Sequence, residues 1–149
     1  FQAEDGEHRE SAIAHGAESA PAYPLLSGMI RLGCRAAIAL SDGLAGDLGR
    51  RLDRSRVGAE LDWPAVPVDA CLGGLPDALQ RRLALAGGDD YELLFSAAPE
   101  NREAIAAIGR RLELPLSRIG RIVAGEGLRL RDARGRPLAF DAHGFDHFA

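Results

Sequence analysis

A strand, a tight turn and a helix are predicted in succession over residues 36–52, which read AAIALSDGLAGDLGRRL. The first five residues are apolar and of strand length, and the triplet Ser-Asp-Gly at 41–43 interrupts them. Beyond the triplet, Leu44, Leu48 and Leu52 recur every four residues, which is the spacing of one face of an amphipathic helix. The pattern therefore predicts a strand that passes into a helix at an acidic turn.

Short strands and amphipathic helices alternate along the rest of the chain. Helices are predicted at residues 24–33, 76–86 and 99–112, strands at 57–63, 91–95 and 118–124, and a hairpin over 127–140. This mixture predicts an α+β fold with a mixed, largely antiparallel β-sheet and helices packed on one face. Residues 1–21 lack a sustained apolar period and are interpreted as a linker or disordered segment, so the domain is expected to occupy residues 22–149.

The composition excludes several kinds of chemistry. The chain has 149 residues and no lysine, so all 18 of its basic side chains are Arg. A Walker-type phosphate loop, a Schiff-base mechanism and a Ser–Lys dyad are therefore excluded. The net charge of −4 gives no general attraction to nucleic acid or to an anionic membrane. Cys34 and Cys71 are far apart and flanked by small apolar residues, which favours thiols in or near the core of a cytoplasmic protein.

The triplet Ser41-Asp42-Gly43 has two interpretations. Amides in the first turn of a helix are unpaired and partly positive, so they can hold a phosphate oxygen without a lysine. Asp42 would repel a bare phosphate, and the two are compatible when a divalent cation bridges them, as in magnesium nucleotides. The alternative is structural, because Ser and Asp are preferred N-caps and Gly relieves a tight turn.

A second acidic turn is formed by residues 87–92, which read Gly-Gly-Asp-Asp-Tyr-Glu. Two glycines allow the backbone to approach a ligand closely, and three carboxylates within four positions repel one another unless a cation or a donor offsets their charge. The alternative is a Gly helix stop followed by a solvated, acidic start of a strand. Two glycines and three acids exceed what a helix stop requires, which favours a binding role.

Four segments, in this order, closely resemble the C-terminal domain of the thiamine-monophosphate kinases, within the aminoimidazole ribonucleotide synthetase-like superfamily. They are residues 37–49, residues 86–95, Arg118-Ile119-Gly120-Arg121-Ile122 and Gly144-Phe145-Asp146-His147-Phe148. The resemblance implies phosphorylation of thiamine monophosphate to thiamine diphosphate, with ATP as co-substrate and Mg²⁺ as cofactor, in a cleft between two domains. It also implies a homodimer that is formed largely through the N-terminal domain. By position, Ser41 would contact ATP, Asp42 would hold Mg²⁺ and Asp89 would contact the thiamine substrate, and no catalytic residue is assigned.

The sequence departs from that family's pattern in several places. Ala39 stands where the family usually has a second magnesium-binding Asp, and Ala142 where an aromatic residue commonly packs on the substrate. The Pro-Arg pair that usually opens the first helix is replaced around Ala22-Tyr23-Pro24. The N-terminal domain, which supplies most of the metal-binding carboxylates, is not in this chain, so we expect these residues alone to have little or no kinase activity. The alternative hypotheses are a non-catalytic or divergent ligand-binding domain and a ligase of the same superfamily with another substrate.

Overall fold

The computed structural model describes residues 9–14, 27–28, 31, 34, 36–87 and 92–140. None of the helices within these ranges is long and apolar enough to cross a membrane. The helix predicted at residues 24–33 lies mostly outside them. Short 3-10 helices lie at Trp63–Ala65, Ala70–Leu72 and Pro99–Asn101. The strands and helices, in chain order, are β1 (Arg9–Ala14), β2 (Ala36–Ala39), α1 (Leu44–Ser55), β3 (Gly58–Asp62), α2 (Asp77–Ala86), β4 (Leu93–Ala97), α3 (Arg102–Leu112), β5 (Leu116–Val123), β6 (Gly127–Arg131) and β7 (Pro137–Leu138).

The seven strands form one sheet in the order β2-β4-β1-β5-β3-β6-β7. All neighbouring strands pair antiparallel except β3 and β6, which run parallel. β6 and β7 form the predicted hairpin, with Leu130 opposite Leu138. The prediction of an α+β fold with a mixed, largely antiparallel sheet is confirmed.

Strand β1 corrects the interpretation of residues 1–21 as a linker. Its backbone pairs antiparallel with β4 on one side and with β5 on the other, so that Ala12 lies opposite both Phe95 and Arg118. The segment reads RESAIA and lacks the apolar alternation typical of strands, so its place depends on backbone pairing with two distant segments. Residues 1–8 and 15–21 lie outside the described residues.

The helices cover both faces of the sheet, and the expectation that they pack on one face is wrong. Leu94 of β4 lies in the main core with Leu44 and Leu48 of α1. Its neighbour Phe95 points the other way, into a second cluster that includes Ile105 of α3. Because successive side chains of a strand point to opposite faces, and all five residues of β4 are buried, this strand needs a helix on each side.

The two cysteines differ in their surroundings. Cys34 is half-buried and packs against the second cluster, where burial raises the pKa of its thiol. Cys71 is exposed on a 3-10 helix. The expectation of a thiol in or near the core is therefore wrong for Cys71, whose apolar sequence neighbours do not bury it.

Candidate functional site

The acidic turn before α1 does not cap the helix with a side chain. The N-cap residue is Gly43, whose φ of +95° lies in the left-handed region that favours glycine, and no side chain bonds to the helix at this position. Ser41 Oγ instead lies 3.1 Å from Asp42 Oδ1. The structural alternative for Ser41 and Asp42, that of ordinary N-caps, is therefore not what the chain adopts.

Asp47, in the first turn of α1, holds this turn in shape. Its Oδ2 accepts hydrogen bonds from the backbone N–H groups of Ser41, at 2.7 Å, and of Asp42, at 3.0 Å. These two amides thus already donate hydrogen bonds to a carboxylate of the chain itself. A phosphate bound at the turn would have to accept hydrogen bonds from other groups. Sequence reasoning missed this role because the contact spans five and six residues. The available signal was an acidic residue in the first helical turn.

Arg50, one turn further along α1, joins the two carboxylates. Its Nη2 lies 2.6 Å from Asp42 Oδ2 and 2.5 Å from Asp47 Oδ1. Partial desolvation lowers the pKa of the guanidinium, but the hydrogen bonds to Asp47 and Asp42 outweigh it and raise that pKa above its ordinary value. The Arg50 and Asp42 side chains are 54% and 37% exposed, whereas Asp47 is only 11% exposed. Asp47 is therefore a fixed part of the turn, and Asp42 is open to solvent.

The first acidic turn touches both ends of the second. The Leu40 N–H donates to the carbonyl oxygen of Glu92 at 2.8 Å. A Cβ atom placed on Gly43 would lie 2.8 Å from the carbonyl oxygen of Gly87. The two backbone segments are therefore so close here that they leave no room for a side chain at residue 43. Asp89 itself lies outside the described residues, in the segment that Gly87 and Glu92 enclose.

A cleft of about 490 Å³ opens where the two turns meet. Leu40 and Leu44, which flank the first turn, line it together with Gly87 and Glu92, which flank the second. Its far wall is the loop after β3, including Val66. A somewhat larger cleft of about 550 Å³ lies between α3 and β5, and neither acidic turn lines it among the described residues. The smaller cleft is therefore bordered by the second turn and by the neighbours of the first turn, while Ser41 and Asp42 do not line it.

The donor set at the turn suits a hard cation in part. Carboxylate oxygens are ligands that Mg²⁺ prefers, and the nitrogen of Arg50 already places one positive charge against both Asp42 and Asp47. In the part of the chain that the structure describes, no group of three or more His, Cys, Asp or Glu side chains could hold a metal ion. Ala39, the departure from the family's usual Asp, lies at the end of β2 and has only a methyl side chain. Other ligands would have to be phosphate, water or groups outside the described residues.

Glu60 forms a second charged cluster that the sequence did not indicate. Glu60 lies in β3, and although its side chain is charged it is only 6% exposed. Its Oε2 accepts hydrogen bonds from Arg121 of β5, at 3.0 and 2.7 Å, and its Oε1 from Arg131 of β6. The hydrogen bonds from Arg121 are the largest influence and, with those from Arg131, lower the pKa of Glu60 against the effect of burial. The cluster ties three strands together, so its role is in the sheet.

The predicted site residues thus divide into two groups. Ser41 and Asp42 lie side by side in the turn between Leu40 and Leu44, with Asp42 turned to Arg50, and they do not themselves line the cleft. Asp89, Ala142 and the closing Gly144-Phe145-Asp146-His147-Phe148 segment lie outside the described residues. The contact between Gly43 and Gly87 brings the two acidic turns together without fixing the position of the Asp89 side chain.

Comparison with known proteins identifies relatives over most of the chain. The family described as AIR synthase related protein, C-terminal domain, matches residues 27–133, and the family described as Ubiquinone biosynthesis protein COQ7 matches residues 1–41. The thiamine-monophosphate kinase of Salmonella typhimurium is 44% identical over 117 residues, which are 76% of this chain and 35% of the kinase.

Solved structures agree with these matches. The crystal structure of thiamine-monophosphate kinase from Stenotrophomonas maltophilia K279a has a TM-score of 0.66 and 29% sequence identity, covering 82% of this chain and 49% of that one. The hydrogenase maturation protein HypE of E. coli has a TM-score of 0.74 over 94% of this chain and 51% of its own, and at 17% identity it shows the fold alone.

The family assignment rests on the longer match. The COQ7 match is confined to the first 41 residues and assigns no family to the whole chain. The chain spans about a third of the length of the curated relatives it matches. The match over residues 27–133 takes in most of the chain, including both acidic turns. The chain therefore belongs to the AIR synthase related protein family and carries the C-terminal domain of that family, and it is similar to thiamine-monophosphate kinases.

Proposed function

We propose that the chain is the C-terminal part of an ATP- and magnesium-dependent kinase that phosphorylates thiamine monophosphate to thiamine diphosphate. The observation that carries the proposal is the contact between the two acidic turns, where Gly43 abuts Gly87 and Leu40 bonds to Glu92. One turn is suited to a metal nucleotide and the other to a cationic acceptor, and phosphoryl transfer requires both to be held together. The 44% identity to a thiamine-monophosphate kinase supports the same reaction.

Each site residue has a role that its chemistry allows. Ser41 is exposed beside Asp42 and offers a hydroxyl to the nucleotide. Asp42, with Asp47 behind it, would hold Mg²⁺, which when bound neutralises charge on the transferring phosphoryl group. Asp89 would lie against the thiazolium cation of the thiamine substrate, where opposite charges attract. Since the chain has no lysine, a cation and positioned backbone groups take the place of an ammonium group.

These residues do not make a complete active site. The two carboxylates at the turn are fewer than a complete Mg²⁺ site needs, and Ala39 supplies no side-chain oxygen. We propose that the partner groups come from an N-terminal domain, through which the full-length enzyme also forms a cytoplasmic homodimer. The 149 residues alone are then expected to turn over little or no thiamine monophosphate, and robust turnover by the purified chain would refute this.

Binding measurements on the purified chain test the proposal. We expect calorimetry to detect thiamine monophosphate, with tighter binding in the presence of Mg²⁺ and a non-hydrolysable ATP analogue. Asp42→Asn should remove the tightening of binding that Mg²⁺ causes. Asp89→Asn should weaken the binding of thiamine monophosphate and leave the heat of nucleotide binding unchanged. Asp53→Asn, an exposed carboxylate on α1, is the control and should behave as the parent chain does.

The second candidate is a non-catalytic ligand-binding domain of the same family, and Ala39 is the observation that favours it. Such a domain would give no Mg²⁺-dependent heat with nucleotide, although it could still bind a thiamine compound. No heat with any of these ligands would contradict both candidates.

A further inference from the structure

The larger cleft, between α3 and β5, has the size and the walls of a small-molecule site. Its volume of about 550 Å³ lies within the range of about 300–1,000 Å³ that is usual for ligand pockets. Phe95 of β4, Ile105 of α3 and Leu116 of β5 line it with apolar surface. Burial of a ligand against such walls is favourable in proportion to the apolar area that leaves water. The cleft therefore suits a ligand with an apolar body.

Small residues keep this cleft open. Ala106 and Gly109 line it from α3, and Ala97 lines it from the end of β4. A Cβ atom on Gly109 would lie 2.8 Å from Cδ1 of Leu116, so the helix already packs tightly against β5 at that point. The open space therefore lies beside a close helix–sheet contact, where neighbouring residues have short side chains.

The charged residues that line the cleft carry an excess of positive charge. Arg102 and Arg110 of α3 and Arg118 of β5 line it, with Glu113 as the one acid among the described lining residues. All four are exposed, so their charged groups can meet a ligand at the mouth of the cleft. Three guanidiniums against one carboxylate leave a local charge of about +2, in a chain whose net charge is −4. Guanidinium groups present several donors in a geometry that matches the oxygens of a carboxylate, sulfonate or phosphate.

We propose that this cleft is a second binding site, which takes a small amphipathic anion. The apolar body of the ligand would lie between α3 and β5, and its oxyanion would meet the arginines at the mouth. Charge complementarity selects the anion, because a cation would be repelled and a neutral molecule would gain only from burial. The inference does not rest on the proposed function, since neither acidic turn lines this cleft among the described residues.

The test uses two fluorescent probes that share an aromatic body and differ in charge. They are 8-anilinonaphthalene-1-sulfonate and N-phenyl-1-naphthylamine, which lacks the sulfonate. Fluorescence titration of the 149-residue chain should show one site per chain, with tighter binding of the sulfonate. Arg110→Gln should raise the Kd of the sulfonate about two- to fivefold and leave that of the neutral probe unchanged. Arg111→Gln is the matched control, because Arg111 is exposed in the same last turn of α3 and does not line the cleft.

A second pair of variants tests the location of the site. Ala106→Phe places a large side chain on a residue that lines the cleft and should raise the Kd of both probes about tenfold or more. Ala107→Phe makes the same change at the next residue, which is exposed and does not line the cleft, and should stay within about twofold of the parent chain. Circular dichroism of each variant checks that it is folded, and the exposed Arg110→Gln change gives an independent readout if Ala106→Phe is not.

Each contrary outcome overturns a stated part of the inference. Equal binding by Ala106→Phe and Ala107→Phe would place the probes elsewhere. Equal Kd values for the two probes, or equal effects of Arg110→Gln and Arg111→Gln, would refute selection of an anion. Sedimentation analysis that shows self-association of the parent chain, lost in Ala106→Phe, would make a second copy of the chain the occupant of the cleft. None of these results bears on the roles of Asp42 and Asp89, so the proposed function stands or falls separately.

Discussion

Replacement of Asp47 by Ala should destabilise the domain by removing the group that fixes the first acidic turn. Asp47 is 11% exposed, and its Oδ2 accepts two backbone hydrogen bonds, at 2.7 and 3.0 Å. Ala leaves the Ser41 and Asp42 amides without this acceptor, and it removes a negative charge from the N-terminal turn of α1. The change also breaks the ion pair of Asp47 with Arg50.

The magnitude follows from these three losses. Loss of an acidic acceptor at a helix start costs about 0.5–2 kcal/mol, the helix-dipole contribution is about 0.3–1 kcal/mol, and the exposed Arg50 pair adds at most about 1 kcal/mol. We expect a loss of about 2–3 kcal/mol in the free energy of unfolding. For a domain of this size that corresponds to a fall in Tm of about 4–12 °C.

Urea and thermal denaturation followed by circular dichroism measure this effect. Asp53→Ala, an exposed carboxylate on the same helix, is the control and should change the free energy of unfolding by less than about 0.5 kcal/mol. An Asp47→Ala variant that is no less stable than Asp53→Ala would refute the assignment of Asp47 as the residue that holds the turn.

Two further substitutions test the turn contact and the buried carboxylate. Gly43→Ala places a Cβ 2.8 Å from the carbonyl oxygen of Gly87 at a φ of +95°, so chemical denaturation should show a loss of about 1–3 kcal/mol. Gly49→Ala, in α1 with open space around it, should instead be neutral or stabilise by up to about 1 kcal/mol, and equal effects of the two changes would contradict the close contact. Glu60→Gln should cost about 1–3 kcal/mol at pH 7 by urea denaturation, because it leaves Arg121 and Arg131 without a charged acceptor. The pKa of Glu60 is lowered on folding, so its contribution is full above the unfolded pKa of about 4.3 and fades as the pH falls through the folded pKa. A Glu60→Gln difference that grows on acidification would contradict that direction.

The apolar spacing predicted the helix after the first turn because that helix buries one continuous face. Leu44, Leu48 and Leu52 are each no more than 3% exposed. The same logic could not find β1, whose segment carries no apolar alternation and is placed by pairing with β4 and β5. Its position depends on pairing partners at least 79 positions away, which a local pattern does not contain.

The site was predictable where it depends on residue types and not where it depends on the path of the backbone. Ser41 and Asp42 stood out because a short polar triplet separates an apolar strand from a helix. Asp47 did not, since its hydrogen bonds cross five and six residues and form only once the turn has folded back. Glu60 could not be recognised from the sequence, because its three arginine partners lie on strands that are distant in sequence.

Anomalous diffraction from crystals of the chain grown with Mn²⁺, a non-hydrolysable ATP analogue and thiamine monophosphate would test most directly whether the two acidic turns form one site. A manganese peak within coordination distance of a carboxylate oxygen of Asp42, with the thiazolium ring against Asp89 in the same cleft, is the expected result. Manganese bound away from Asp42, or thiamine monophosphate in the cleft between α3 and β5, would contradict it.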